Sequence, residues 1–142
     1  IIVNNGEQIL RTNKRQIVLC HRISQIDEIS RLLALKNISS IKITGSVKNK
    51  DRKYNSPVII ATYQLAKEGL DIPELDVCHF ATPNKDKIAV IQSAGRVERN
   101  IDGKEQPIIY DYVDNKIAYR ANAYNKRKNM LKIKLFHLCF GN

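Results

Sequence analysis

A wholly apolar run, VIIA at positions 58–61, constrains the fold of this chain more than any other feature. β-Branched residues favour a strand, and a strand that is apolar on both faces must be covered on both faces. Such burial is typical of central strands in parallel sheets, whose crossover connections are usually helices. The run therefore predicts a parallel sheet with helices packed on both of its sides.

Other segments of the chain extend this pattern. Short apolar runs at 17–20, 41–43, 77–80 and 107–113 predict four more strands, and partial alternation at 131–140 predicts an edge strand. Helices are predicted from a cap at Ser24 to about Leu35, at 63–67 with a stop at Gly69, at 87–96, and from a cap at Asn115 to Lys128. Strands and helices alternate with short links. The predicted fold class is therefore α/β, a doubly wound, mostly parallel sheet, as one domain over residues 1–142.

The charge of the chain is strongly positive. Its 142 residues include 24 Lys and Arg against 14 Asp and Glu, which gives a net charge of +10. A domain this basic attracts polyanions such as nucleic acid. A solvated, lysine-rich surface would give the same count, so charge alone leaves both interpretations open.

The three cysteines predict a reducing compartment. Cys20, Cys78 and Cys139 are far apart and odd in number, and no Cys or His pair has zinc-site spacing. We therefore expect buried thiols without a disulfide or a metal site, and an intracellular location such as the cytoplasm or a viral replication site. No apolar run approaches the roughly 20 residues of a membrane span, so no membrane partner is expected. Because the chain starts at Ile1 without Met, we interpret it as an excised part of a longer polypeptide.

The predicted sheet places polar residues at one rim. In open parallel sheets, ligands bind beyond the carboxyl ends of the strands. The loops that follow Cys20, Ile43, Ala61 and Phe80 all carry polar or glycine residues. The sequence thus predicts a polar site at this edge.

Residues 92–99, QSAGRVER, carry the most informative pattern. Arg96 and Arg99 are three positions apart, so on a helix they share a face and can grip one polyanionic group. Gly95 lets a neighbouring backbone or ligand approach closely. Taken alone, the same residues also fit a surface helix with an Arg–Glu–Arg salt-bridge pattern.

Four segments together resemble superfamily 2 helicases. Residues 92–99 resemble motif VI, Gln-x-x-Gly-Arg-x-x-Arg, and residues 61–73, ATYQLAKEGLDIP, resemble motif V. Residues 17–22, IVLCHR, resemble motif IV, and residues 44–46, TGS, resemble the glycine loop between motifs IV and V. The forms of motifs V and VI look closer to DNA-repair, phage and large-virus helicases than to true DEAD-box RNA helicases.

The resemblance implies a RecA-like fold and half of an ATP site. In this family two lobes clamp one ATP, and the first lobe supplies the phosphate-binding loop and the carboxylates that hold Mg²⁺. No such motifs occur in this sequence, so the N-terminal lobe of the same polypeptide is expected to be absent from this chain. ATP and Mg²⁺ are then cofactors of the full-length enzyme. We expect neither to bind tightly to the isolated fragment, which we expect to be inactive.

The same resemblance assigns residues to the nucleotide. Arg99 matches the arginine finger, Arg96 matches its partner, and Gln92 matches the residue that senses the γ-phosphate or the attacking water. Gly69 and Asp71 match motif V positions near the nucleotide. For Asp71, a structural cap beside the following Ile-Pro pair remains an alternative.

Nucleic-acid contacts are implied at the same rim. Thr62 matches the motif V hydroxyl that bonds a backbone phosphate, although a β-branched residue at a strand end could also be structural. The backbone amides of Gly45 and Ser46 and the side chain of Arg22 are expected to meet the same strand of DNA or RNA, without reading its sequence. His21 could be a further contact or a structural residue.

These observations favour one function over two others. The leading hypothesis is the C-terminal lobe of an ATP-dependent helicase or translocase. The alternatives are a stand-alone basic nucleic-acid-binding domain without motor activity and a basic α/β structural protein. The intact Gln92, Arg96 and Arg99 favour the first, because a pure binding module has no use for an arginine finger.

Overall fold

In the part of the chain that it describes, a computed structural model shows a six-stranded sheet in which every strand pairing is parallel. It describes residues 2, 4, 11, 13–45, 55–68, 72, 75–82, 108–113 and 136–140, with the backbone alone at 113 and 136–140. The strands are β1 (Gln16–Cys20), β2 (Ser40–Ile43), β3 (Val58–Thr62), β4 (Val77–Phe80), β5 (Ile108–Val113) and β6 (Phe136–Phe140). Two helices are described, α1 (Ile23–Leu35) and α2 (Tyr63–Glu68).

The strand order confirms the predicted doubly wound sheet. Across the sheet the order is β2-β3-β1-β4-β5-β6. The predictions for β1 to β5 are confirmed to within one residue at each end. The predicted edge strand contains β6, which lies at one margin of the sheet. The predicted helices at 87–96 and 115–128 lie outside the described residues.

Two core layers explain why the central strands are apolar on both faces. In β3, Val58 is 2% exposed and the next three residues are fully buried. One layer contains Ile17, Leu19, Ile59, Ala61, Cys78 and Phe80 together with Leu65 and Ala66 of α2. The other contains Val18, Cys20, Val58 and Ile60 together with Ile26 and Leu33 of α1. Since side chains alternate across a strand, β1 and β3 each supply residues to both layers.

The start of α1 corrects the sequence prediction, because Ser24 is not the cap. Arg22 occupies that position in extended conformation, with φ −119° and ψ 145°. The Arg22 amide donates to Gln25 Oε1 at 3.0 Å, and the Arg22 carbonyl accepts from the Ile26 amide at 3.3 Å. A guanidinium has no acceptor, so the backbone of Arg22 and the Gln25 side chain together replace the expected serine cap.

The end of α1 is fixed by Asn37 in the left-handed region, at φ 57°. The Ile38 amide donates to the Leu33 carbonyl and the Asn37 amide donates to the Ala34 carbonyl, both at 3.0 Å. These two bonds form a Schellman motif, in which Asn is tolerated because its side chain accommodates positive φ. Ile38 also packs against the apolar layer that contains Leu33, so the chain turns directly into β2.

A buried polar network crosses the sheet from β1 to β5. His79 Nε2 lies 2.9 Å from Gln16 Oε1, and His79 Nδ1 lies 2.8 Å from Tyr112 Oη. Gln16 and His79 are both fully buried. Tyr110 and Tyr112 stack on the imidazole with ring centroids 5.1 and 5.9 Å away. Because Gln16 Oε1 can only accept, Nε2 carries the proton and Nδ1 accepts from the Tyr112 hydroxyl.

This arrangement keeps the histidine neutral. Burial lowers the pKa of His79 from 6.5 to about 3. Protonation would place a second N–H opposite the phenol and a charge in an apolar layer, both of which oppose folding. The stabilisation from His79 is therefore fully present above pH ~6.5 and is lost progressively as the pH falls toward ~3.

We predict an acid-sensitive free energy of unfolding that depends on His79. Lowering the pH from about 7.5 to about 5.0 should remove about 2 kcal/mol through this residue, since the unfolded imidazole takes up a proton that the folded one excludes. His79→Gln keeps one donor and one acceptor but does not titrate. Urea unfolding of both proteins at the two pH values measures the difference. An equal loss of stability in the two proteins would show that another group is responsible.

Candidate functional site

Parallel pairing brings the carboxyl ends of four neighbouring strands to one edge of the sheet. In the order β2, β3, β1 and β4, these ends lead into Gly45, Thr62, Arg22 and Thr82. We call this margin the carboxyl edge. The chain lays β2 and β3 on one side of β1 and β4 on the other, so a topological switch point lies between β1 and β4. Sheets of this kind bind their ligands at such a point.

Thr62 combines a structural and an available chemical role. It is the last residue of β3, is half-buried, and pairs in register with Cys20 of β1. Its Oγ1 accepts a hydrogen bond of 3.3 Å from the Leu65 amide, and so caps α2. A hydroxyl that accepts through its oxygen still has a proton to donate. Thr62 can therefore cap the helix and donate to an anionic oxygen at the same time.

Gly45 lies at the β2 end of the carboxyl edge and is exposed. A Cβ built at this position would meet no atom within 4 Å. The described part of the chain thus gives no steric reason for a glycine here. An open backbone is what a close-approaching ligand would require. Ser46, its predicted partner, lies outside the described residues.

Arg22 and His21 follow β1 directly, and both are exposed. The backbone of Arg22 is held at the start of α1, and the residue is exposed where it follows β1 at the carboxyl edge. The His21 ring lies 5.1 Å from the Tyr63 ring at an interplanar angle of 46°. The structure therefore places Thr62, Gly45 and Arg22 at one edge, with His21 next to Arg22. The contacts of these residues with nucleic acid stay predictions.

A contact that the sequence did not reveal ties this edge together. Tyr63, 3% exposed, packs its ring against Phe80 at 5.9 Å and donates its hydroxyl to the Thr82 carbonyl at 2.8 Å. Tyr63 and Thr82 are 19 positions apart, so no local pattern could have indicated the bond. Only the strand order β3-β1-β4 places them within reach.

The predicted nucleotide residues lie outside the described residues. These are Gln92, Arg96, Arg99, Gly69 and Asp71, and their assignments stay predictions. The described helix α2 ends at Glu68, one residue before the first of the two motif V positions. One short helix therefore separates Thr62 from that segment.

Two of the three cysteines are buried within strands, as the sequence predicted. Cys20 and Cys78 are free and buried in the strands. Burial raises the pKa of Cys20 to about 12, and burial together with the charge of Asp111 raises the pKa of Cys78 further. Both sulfurs are therefore protonated and act as small apolar side chains.

Within the described ranges, no group of three or more His, Cys, Asp or Glu could hold a metal ion. No helix in the same ranges is long and apolar enough to cross a membrane.

Solved structures establish the class of the fold. The chain is similar to Saccharomyces cerevisiae Dbp5 bound to RNA and ADP BeF₃, with a TM-score of 0.71 at 18% identity over 97% of this chain and 37% of that one. It is also similar to the C-terminal part of the Fun30 ATPase domain, with a TM-score of 0.69 at 14% identity over 89% of this chain and 42% of that one. The fold is thus the RecA-like α/β fold of helicase C-terminal domains, as predicted.

The family follows from the sequence match. The model of the helicase conserved C-terminal domain matches residues 3–101, which include β1 to β4 and the predicted motif VI. The chain belongs to this family, and the expected superfamily resemblance is confirmed.

Relatives are viral and archaeal. A protein of Acanthamoeba polyphaga mimivirus, named as an ATP-dependent RNA helicase, is 32% identical over 76% of this chain and 21% of its own length. One of Methanocaldococcus jannaschii with the same kind of name is 25% identical over 98% of this chain and 20% of its own. The D10 protein of Escherichia phage T5, named as a helicase, is 23% identical over 79% of this chain and 27% of its own length. The chain thus spans only about a fifth to a quarter of these curated relatives.

Proposed function

We propose that this chain is the C-terminal lobe of an ATP-dependent nucleic-acid helicase or translocase. The observation that carries the proposal is the family match over residues 3–101 together with the placement of Thr62, Gly45 and Arg22 at one carboxyl edge. A sequence match alone would support a helicase fold. The shared edge adds donors suited to one kind of ligand, an extended polyanion.

The carboxyl edge is proposed to hold the phosphate backbone of DNA or RNA. A hydroxyl at Thr62, a backbone amide at Gly45 and a guanidinium at Arg22 are all hydrogen-bond donors, and none of them reads a base. The net charge of +10 adds a non-specific attraction for nucleic acid. Affinity should therefore be weakly dependent on sequence and should fall steeply as salt rises.

The opposite wall of an ATP site is proposed to come from residues 92–99. Arg99 would meet the γ-phosphate as charge shifts during hydrolysis, with Arg96 beside it and Gln92 near the attacking water. Arginine fingers of this type contribute a factor of about 10³ to 10⁵ in rate. The phosphate-binding loop and the carboxylates for Mg²⁺ would be supplied by the N-terminal lobe of the same polypeptide.

We predict that Arg99→Ala abolishes ATP turnover of the full-length protein and leaves its fold intact. The value of kcat should fall by about 10³ or more, because a charge that stabilises the transition state is removed. Arg96→Ala should have a similar effect, somewhat smaller. The measurement is kcat with saturating nucleic acid, beside a melting curve.

Arg31→Ala is the matched control for these substitutions. Arg31 is an exposed arginine of α1 that pairs with Glu28 on its own helix, at 2.8 Å. Surface pairs of this kind contribute little stability, so the control should keep both turnover and fold. Near-normal turnover in Arg99→Ala, or a loss explained by unfolding, would show that motif VI is structural here.

We predict that Thr62→Ala and Gly45→Ala weaken the response to nucleic acid more than the basal rate. Thr62→Ala removes the proposed donor, and it also removes the cap of α2, at a cost of about 1 kcal/mol. Gly45→Ala separates the two effects, because its methyl group would meet no atom of the described residues but would meet a bound backbone. The measurement is kcat with and without single-stranded nucleic acid at two salt concentrations. A proportional loss of basal and stimulated turnover in both variants would exclude a phosphate contact at this edge.

A further inference from the structure

We infer that Tyr63 is a positioning residue of the carboxyl edge, which holds the Thr62 hydroxyl in the orientation that meets nucleic acid. This inference rests on the proposed function. Tyr63 is the first residue of α2 and directly follows Thr62, so the geometry of the two residues is coupled through one peptide bond. Where Tyr63 is held, the backbone that carries the Thr62 side chain is held as well.

The side chain of Tyr63 connects three strand ends. Tyr63 itself directly follows β3. Its ring contacts His21 after β1 and packs on Phe80 of β4, and its hydroxyl donates to the Thr82 carbonyl just beyond β4. Neighbouring strands lie about 4.8 Å apart, so β3 and β4 are separated by roughly 10 Å across β1. Tyr63 spans that separation on one side of the sheet. Strand register already sets the ends of β3 and β1 relative to each other, and the Tyr63 ring adds a contact from the start of α2 to the end of β4.

The hydroxyl of Tyr63 is not required to fill the core. A phenylalanine would supply the same ring against Phe80 and His21, without a polar group to satisfy. Burying the phenol is favourable only because Thr82 O accepts its proton at 2.8 Å. That bond adds directional restraint between α2 and the end of β4, which apolar packing alone does not supply.

The first turn of α2 also orients the Thr62 hydroxyl. Thr62 Oγ1 accepts from the Leu65 amide in the first turn of α2. If that turn shifts, the hydrogen bond that orients the Thr62 hydroxyl oxygen is weakened or lost. Tyr63 anchors this turn to β4, and so acts on the ligand through Thr62 and not by contact.

The test is Tyr63→Phe in the full-length protein, measured as ATP turnover against the concentration of a single-stranded oligonucleotide. The concentration for half-maximal stimulation should rise roughly fivefold, the effect of losing one hydrogen bond, while kcat at saturation changes less. A substitution that only destabilised the fold would lower kcat and the melting temperature without raising the oligonucleotide concentration for half-maximal stimulation. The melting curve is recorded for every variant.

Tyr112→Phe is the matched control. It removes the same phenol hydroxyl from a bond of the same length, 2.8 Å to His79 Nδ1, but at β5 and not at the proposed edge. It should lower the melting temperature and leave half-maximal stimulation unchanged. Equal effects of the two substitutions on half-maximal stimulation would overturn the inference, as would no effect of Tyr63→Phe.

Thr62→Ala separates this inference from the proposed function. If Thr62→Ala weakens stimulation and Tyr63→Phe does not, the proposed edge stands and the positioning role is wrong. If neither variant alters stimulation, the proposed nucleic-acid contact itself is wrong and the inference falls with it.

Discussion

Parallel pairing of β3, β1 and β4 is the constraint on which the rest of this structure depends. Because the three strands run in one direction, their carboxyl ends meet at one edge. Each connection between them must be a crossover that returns the chain to the opposite edge of the sheet. The cost is a centre that needs apolar cover on both faces, which α1 and α2 provide within the described residues. The gain is a row of loop residues whose relative positions are set by strand register, not by loop conformation.

The short helix α2 shows how this constraint reaches the proposed chemistry. Its first turn is capped by the residue proposed to meet a phosphate, and its last residue precedes the motif V positions proposed to meet the nucleotide. The six residues of α2 therefore separate the residue proposed to contact nucleic acid, Thr62, from the first residue proposed to contact the nucleotide, Gly69. A shift of this helix at one end would be transmitted to the other, which gives a physical basis for coupling between nucleic acid and ATP in the proposed motor.

Much of the fold could be predicted from the sequence because its signals are local. The apolar runs mark β1 to β5, and the periodicity after β1 marks α1. The cap of α1 was predicted wrongly at Ser24. Arg22 is the N-cap in extended conformation, and the Gln25 side chain accepts a hydrogen bond from its amide. A capping rule based on residue type does not detect such a reversal.

The long-range polar contacts could not be predicted, because they depend on strand order. His79 meets Gln16 across 63 positions and Tyr112 across 33, and Tyr63 meets Thr82 across 19. In the sequence, His79 is a polar residue inside an apolar strand, without any sign of its partners. Motif patterns indicated Thr62, Gly45 and Arg22, and parallel pairing explains why these three lie together. The assignments of Gln92, Arg96 and Arg99 still depend on the motif alone.

The central proposal is that this chain would supply one wall of an ATP site, with the other wall supplied by another part of the polypeptide. Its most direct test is ATP turnover by residues 1–142 alone, with and without single-stranded nucleic acid, beside the full-length protein under the same conditions. The account predicts that only the full-length protein hydrolyses ATP, while the isolated chain binds nucleic acid in a salt-dependent manner. Robust hydrolysis that purifies with the isolated chain would contradict it.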